Sequence, residues 1–196
     1  MKDSYIFLAA GFEEIEAITV IDVLRRAGIP VKTVSITNAL QVTGAHGITV
    51  NADLIYDNTL FRDAPWLILP GGLPGADNLH NFAPLQGLLK SQVESGKGRV
   101  AAICAAPAVV LGQQGLLKGY KATCYPGFEE KLIGATYVDS PVVSDGPFVL
   151  GNGPANAMVW ALAIVEQTLG RDKSLEVAAG MLLYPPVDNP LEYVFG

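Results

Sequence analysis

Cys104 ends a short apolar run and precedes small residues, in Arg99-Val100-Ala101-Ala102-Ile103-Cys104-Ala105-Ala106-Pro107. Residues 100–103 have the length and composition of a buried strand. Ala108-Val109-Val110-Leu111 reads as the helix that follows. Strand, nucleophile-type residue, small neighbours and helix make the layout of a nucleophile elbow. Such a turn leaves the sulfur exposed at the C-terminal edge of a sheet. The Ala105 amide and the helix start then lie beside it and favour the thiolate, the reactive form of cysteine. A cysteine buried for packing has the same local composition, so this stretch alone leaves a structural thiol open.

A nucleophilic cysteine needs a group that manages its proton. The two histidines, His46 and His80, both precede Cys104. His80, in Asn78-Leu79-His80-Asn81, reads as a solvated or capping residue on a helix surface. His46 lies in the turn Thr43-Gly44-Ala45-His46-Gly47, where histidine is ordinary. A carboxyl group is the remaining candidate. Glu13, Glu14 and Glu16 share the first turn of a helix whose apolar positions run from Ile15 through Ile18, Ile21, Val23, Leu24 and Ala27 to a stop at Gly28. Glu13 and Glu14 read as complements to the helix dipole. Glu16, hemmed by Ile15, Ala17 and Ile18, reads as pointing into the crevice at the carboxyl edge of the sheet.

Burial raises a carboxyl pKa. A protonated Glu16 would therefore donate a hydrogen bond to the Cys104 thiolate, and the pair predicts a thiol pKa below about 7. Gly71 and Gly72, in Pro70-Gly71-Gly72-Leu73-Pro74-Gly75, would add amides to that of Ala105 as an oxyanion hole. Cys124 and Tyr125 face opposite ways if their segment is a strand. Tyr125 is read as facing the elbow and Cys124 as core, so peroxide should oxidise Cys104 first.

Positioning these residues requires a sheet. Residues 5–9, 31–36, 66–69 and 100–103 read as central parallel strands, with helices over 76–81, 84–95, 155–169 and 173–183. Residues 40–42 and 48–50 flank a small antiparallel excursion, 121–124 a short strand, and 142–144 with 148–150 a hairpin about Asp145-Gly146. Tyr184-Pro185-Pro186 should break the last helix before an irregular tail. Strands alternating with helices predict an α/β fold, a mostly parallel doubly wound sheet with helices on both faces. The length of 196 residues fits a single domain spanning 1–196.

Composition removes several function classes. Half the residues are hydrophobic, 16% are charged and the net charge is −6, with no basic patch for nucleic acid. No apolar run approaches the roughly 18 residues of a membrane span. Asp3 stands where a secretory signal would be basic, so a cytoplasmic setting is expected. The two cysteines are twenty residues apart and the histidines lie in different loops, so no metal and no cofactor is expected. The glycine loop after residue 69 is not GxGxxG, and no GK[ST] follows.

These motifs together resemble the ThiJ/PfpI superfamily, in the branch of the parkinsonism-associated protein deglycase and its bacterial relatives. The resemblance covers nearly the whole chain. It rests on Gly11-Phe12-Glu13-Glu14-Ile15-Glu16 with Arg25-Arg26-Ala27-Gly28, on Leu69-Pro70-Gly71-Gly72, on the elbow itself and on Ala161-Leu162-Ala163-Ile164-Val165-Glu166. It implies a flavodoxin-like three-layer sandwich and a homodimer with the site near the interface. It places the oxidisable nucleophile on Cys104, its protonated partner on Glu16, and amides around the sulfur at Gly72 and Ala105. The implied activities are cofactor-independent glyoxalase chemistry on small aldehydes, removal of early glycation adducts, oxidative-stress protection and chaperone action.

The chain departs from its nearest relatives at the pocket rim. Tyr125-Pro126 replaces His-Pro, Asn152 replaces an arginine before a Gly-Pro, and His46 replaces an arginine near the dimer interface. Tyr125, His46 and Asn152 are thus the rim candidates that bear on substrate choice. Two functions follow. One is an enzyme acting on reactive carbonyls through Cys104 and Glu16. The other is a non-catalytic redox sensor or chaperone-like protein, in which Cys104 is oxidised and held by Glu16 and backbone amides. Class I glutamine amidotransferases share the elbow but place histidine after the cysteine, where this chain has none. The intracellular peptidase branch has histidine directly after the cysteine, where this chain has Ala105.

Overall fold

Four apolar runs form the middle of one sheet in the computed structural model, which describes residues 1–61 and 63–183. The chain runs through β1 (Ser4–Leu8), α1 (Glu14–Arg26) and β2 (Val31–Ser35), then β3 (Gln41–Thr43), β4 (Thr49–Asn51) and β5 (Leu54–Ile55). It continues through β6 (Trp66–Leu69), α2 (Gly75–Asn81), α3 (Ala83–Ser95) and β7 (Arg99–Ile103), and a π-helical turn at Pro107–Leu111 follows. β8 (Lys121–Ala122), β9 (Thr136–Tyr137), β10 (Val142–Asp145), β11 (Phe148–Gly151), α4 (Ala157–Leu169) and α5 (Arg171–Gly180) complete the described elements.

The main sheet has the order β10-β11-β7-β6-β1-β2-β5, and every pairing is parallel except β10 with β11. Period-two alternation along each strand feeds two cores. Ile6, Leu8, Ile68, Ala101 and Ile103 face one core with α1 and α4, while Phe7, Leu67, Leu69, Val100 and Ala102 face the other with α2 and α3. This is the three-layer, flavodoxin-like α/β arrangement expected. The chain leaves β1 toward β2 on one side and returns to β6 on the other. The switch between β1 and β6 opens a crevice at their carboxyl ends, where sheets of this kind hold ligands.

Local readings needed correction in three places. Ile15 and Ile18 do not hem Glu16 into a core: they are 58% and 46% exposed, and the buried stripe of α1 is Ala17, Val20, Ile21, Val23 and Leu24. The expected strand at 121–124 pairs only over Lys121–Ala122, so Cys124 and Tyr125 lie beyond its end. The last helix spans Arg171–Gly180 rather than reaching residue 183. The predicted break at Tyr184-Pro185-Pro186 and the tail lie outside the described residues. Among the described residues, no helix is long and apolar enough to cross a membrane.

Candidate active site

β7 delivers Cys104 to the crevice and then reverses sharply. Cys104 has φ +65°, a left-handed backbone that side chains other than glycine rarely adopt. The strain is of order 1–3 kcal/mol and is held by the surrounding hydrogen bonds. The Cys104 N–H donates to the Gly151 carbonyl at 3.0 Å, and its own carbonyl accepts from the Tyr125 N–H at 2.8 Å. The turn keeps the sulfur at the pocket surface, although the residue is only 8% exposed. The Gly72 and Ala105 amides point at the sulfur and favour its anion. The elbow and both of those predicted amides are therefore present.

Glu16 reaches the same point from α1. Glu13 caps the helix, its Oε2 accepting from the Glu16 N–H at 2.8 Å. Glu16 is fully buried, and its Oε2 accepts from the Gly71 N–H at 2.7 Å. Its Oε1 is buried with no hydrogen-bond partner in the protein. Gly71 was expected to give its amide to an oxyanion; the structure gives it to Glu16 instead. Gly71 has a second duty. A Cβ there would lie 2.6 Å from the Cys104 Cβ and 2.8 Å from Glu16 Oε2. Only a residue without a side chain lets the thiol and the carboxyl approach across it.

The two acidities are set against each other. Burial raises the Glu16 carboxyl to about 7, against the pull of the Gly71 N–H and the Cys104 thiol. Burial also pushes the Cys104 thiol up, to about 12, assisted by the charge of the adjacent Glu16 carboxylate and opposed by the Gly72 and Ala105 amides. Burial and an ionised Glu16 thus move the thiol upward, against the direction expected for a protonated Glu16 donor. Desolvation, invisible in the local sequence, outweighs the amides. Cys124 is 1% exposed and is likewise raised to about 12 by burial and by the Glu129 charge.

Gly72, Leu73, Cys104, Ala105, Tyr125 and Phe128 line a cavity of about 210 Å3 over the sulfur. Tyr125 faces it and Cys124 lies in the core, as expected. Asn152 does not line it. Its Oδ1 accepts from Asn156 Nδ2 at 2.7 Å and its N–H donates to the Pro141 carbonyl, so it holds the loop behind Tyr125. His46 does not line it either. The β3–β4 turn carries it to the start of α1, where its Nδ1 lies 2.8 Å from Glu14 Oε2 and its N–H donates to Glu14 Oε1 at 2.7 Å. Sequence reasoning missed Leu73 and Phe128. Leu73 was legible as an apolar residue directly after the glycine pair, but only the fold of the Tyr125-Pro126-Gly127-Phe128 turn turns Phe128 inward.

Glu13, Glu14 and His46 bring ligand-type atoms within 4.8 Å of one another, a grouping that the spacing of histidines and cysteines did not reveal. These are the described residues with the chemistry to hold a cation. Their atoms already serve the fold: Glu14 accepts from the His46 and Ile48 amides and the imidazole, and Glu13 caps α1.

Residues 2–167 match the sequence profile of the DJ-1/PfpI family. The chain is 43% identical to DJ-1 homolog B of Arabidopsis thaliana over 94% of its own length and 42% of that protein's, so it spans less than half of that relative. It is 33% identical to a protein named as a deglycase from Pyrococcus horikoshii, over 82% of this chain and 96% of that one. Among solved structures, oxidised DJ-1 of Toxoplasma gondii superposes with a TM-score of 0.88 at 33% identity, covering 94% of this chain and all of that one.

Proposed function

The chain belongs to the DJ-1/PfpI family, and on that premise we propose that it is a cysteine-dependent enzyme of carbonyl stress, converting α-oxoaldehydes to 2-hydroxy acids without a cofactor. The observation that carries this reading is the buried Glu16 carboxyl, which receives one amide and otherwise meets the Cys104 thiol, across a glycine where no side chain fits. A carboxyl raised to about 7 is suited to take and return a proton near neutral pH.

The steps balance without an outside oxidant. As the sulfur attacks the aldehyde carbon, the thiol proton passes to Glu16 and the new alkoxide forms within reach of the Gly72 and Ala105 amides. Glu16 hands that proton to the alkoxide, which gives the hemithioacetal and leaves Glu16 a carboxylate again. Glu16 then removes the proton from the former aldehyde carbon and returns it to the neighbouring carbonyl carbon, while the hydroxyl proton on the first carbon's oxygen passes to the second oxygen through the enediol. The product is a thioester of the 2-hydroxy acid. Water cleaves it, releasing the acid and restoring the thiol. A high thiol pKa is compatible with this scheme, because the base lies beside the thiol and transfer occurs during attack. Glycated thiols and amines, a substrate class in keeping with a relative named as a deglycase, would present a similar hemiacetal-type carbon. The test is lactate formation from methylglyoxal in the absence of glutathione, with loss in Cys104→Ala.

A second reading keeps the same atoms without turnover. The two amides facing the sulfur would hold the oxygens of a sulfinate, making Cys104 a redox sensor. Peroxide-dependent oxidation of Cys104 in a protein that yields no lactate would favour it. Ile15 of α1, which shares a surface hollow with Met158 of α4, and the exposed Ile18 on the same helix would supply an apolar face for a homodimer. Conversion to a monomer by Ile18→Glu in sedimentation would support that assembly.

A further inference from the structure

We infer that the pocket over Cys104 selects electrophiles bearing a flat apolar substituent, so that aryl α-oxoaldehydes such as phenylglyoxal are preferred to methylglyoxal, with Tyr125 and Phe128 setting the preference. The choice of aldehydes rests on the enzymatic reading above; the pocket preference itself does not.

The lining carries the inference. Leu73, Tyr125 and Phe128 supply its large side chains, and no charged side chain is among the lining residues. Its polar groups are the amides beside the sulfur, which serve the reacting oxygen, and the hydroxyl of Tyr125. No charged group is left to bind an ionised tail on the substrate. The cavity of about 210 Å3 is several times the roughly 30 Å3 share of one water, and methylglyoxal offers only a methyl group to fill it. A phenyl ring would remove much more apolar wall from water.

The two rings are arranged to receive a third. The Tyr125 and Phe128 centroids are 6.5 Å apart with planes at 75°, a corner that presents a face and an edge together. Aromatic groups favour both contacts. The corner is fixed relative to the nucleophile. The Tyr125 N–H is bonded to the Cys104 carbonyl, and the Phe128 N–H closes the turn on the Tyr125 carbonyl at 3.2 Å. Glu129 accepts from the Gly127 N–H through both carboxylate oxygens, at 3.0 and 2.9 Å. Gly153 backs Tyr125, where a Cβ would meet the ring at 3.5 Å. The neighbouring cation, Lys131, lies 5.3 Å from the Phe128 ring centroid and is not among the lining residues. Yet Tyr125 is 45% exposed, so ring surface remains for a ligand to cover.

Two measurements test this. The first compares kcat/KM for phenylglyoxal and methylglyoxal. The expected ratio is at least about tenfold in favour of phenylglyoxal, the scale apolar pockets reach. The second compares Cys104 labelling by N-phenylmaleimide and N-ethylmaleimide, followed by mass spectrometry and normalised to a free thiol. The reacting group is the same, so the normalised ratio reports the pocket alone, and about a tenfold preference for the phenyl reagent is expected. Tyr125→Ala and Phe128→Leu should each lower both ratios several-fold; circular dichroism confirms that each variant is folded. A normalised maleimide ratio near one, or ratios unmoved by both variants, overturns the inference. Methylglyoxal turnover equal to or above that of phenylglyoxal also overturns it, and leaves the enzymatic reading intact. Absence of turnover with either aldehyde, together with a persistent maleimide preference that the variants abolish, supports the pocket and overturns the enzymatic reading instead.

Discussion

Glu14 and Glu16 lie two positions apart in the first turn of α1, both buried, and their acidities move in opposite directions. Glu14 loses solvent, which by itself raises its carboxyl, but hydrogen bonds from the His46 side chain and the His46 and Ile48 amides bring it below the usual range. Glu16 loses solvent and recovers one amide, that of Gly71, so its carboxyl rises to about 7. Helix position and burial are shared; the number of donors supplied from elsewhere in the fold is not. A carboxylate with several donors is a fastening, whereas one whose remaining contact is a thiol is able to exchange a proton with it. One turn of helix thus ties down a hairpin on one side and sets a carboxyl beside the elbow thiol on the other.

The sharpest way to break that contrast is to make the same change at both positions. Glu16→Gln should reduce turnover of α-oxoaldehydes by roughly 100-fold or more, the scale of a lost general base. Glu14→Gln should retain most of it. Equal losses in steady-state assays would mean that Glu16 acts only through local structure.

Stability against pH reads the same contrast. Unfolded Glu16 ionises near 4.5, while folded Glu16 holds its proton to about 7. A folded pKa above the unfolded one gives stability that is complete below pH 4.5 and is lost as pH rises through 7. The group's contribution should therefore fall by about 3 kcal/mol across that window. Glu16→Gln should flatten the profile and gain most at pH 8, as denaturant unfolding at several pH values would reveal. For Glu14, lowered in the fold, the sign reverses: its contribution is present above the ordinary carboxyl range and is lost on acidification.

Gly71→Ala tests the separation of the thiol and the carboxyl directly. The new methyl meets Cys104, Glu16 and the Ile103 carbonyl, the last at 3.0 Å. Overpacking of this kind costs about 1–3 kcal/mol, and turnover should fall as the pair is pushed apart. Unchanged activity would place the proton transfer elsewhere. The smallest effect belongs to the fastening. The hydrogen bond and charge of Glu14 raise the His46 imidazole pKa, so Glu14→Gln should lower the His46 titration midpoint in proton NMR while leaving the rate of Cys104 alkylation unchanged.

Much of the site was legible because its signals are local. The elbow needs small residues after an apolar strand, and Ala101-Ala102-Ile103-Cys104-Ala105-Ala106 carries them side by side. Gly71 and Gly72 follow a strand directly, where a crevice requires close backbone approach. Alternation suggests that Tyr125 and Cys124 face opposite ways, and they do, although the strand ends at Ala122 and the turn that follows sets their directions. His46 and Asn152 could not be assigned correctly, because whether a polar side chain faces a pocket or a neighbour depends on partners distant in sequence. His46 is 32 residues from Glu14.

The sequence by itself determined the four central strands with the helices between them, the elbow at Cys104 and the glutamates that open α1, since apolar period, glycine and small-residue runs act over a few residues. Only the tertiary structure decided which glutamate is left facing the thiol, why the thiol pKa rises rather than falls, that Ile15 and Ile18 face outward, and that Phe128 joins Tyr125 over the sulfur. Those outcomes depend on desolvation and on donors and rings brought from separate loops, and both arise only when the sheet has assembled.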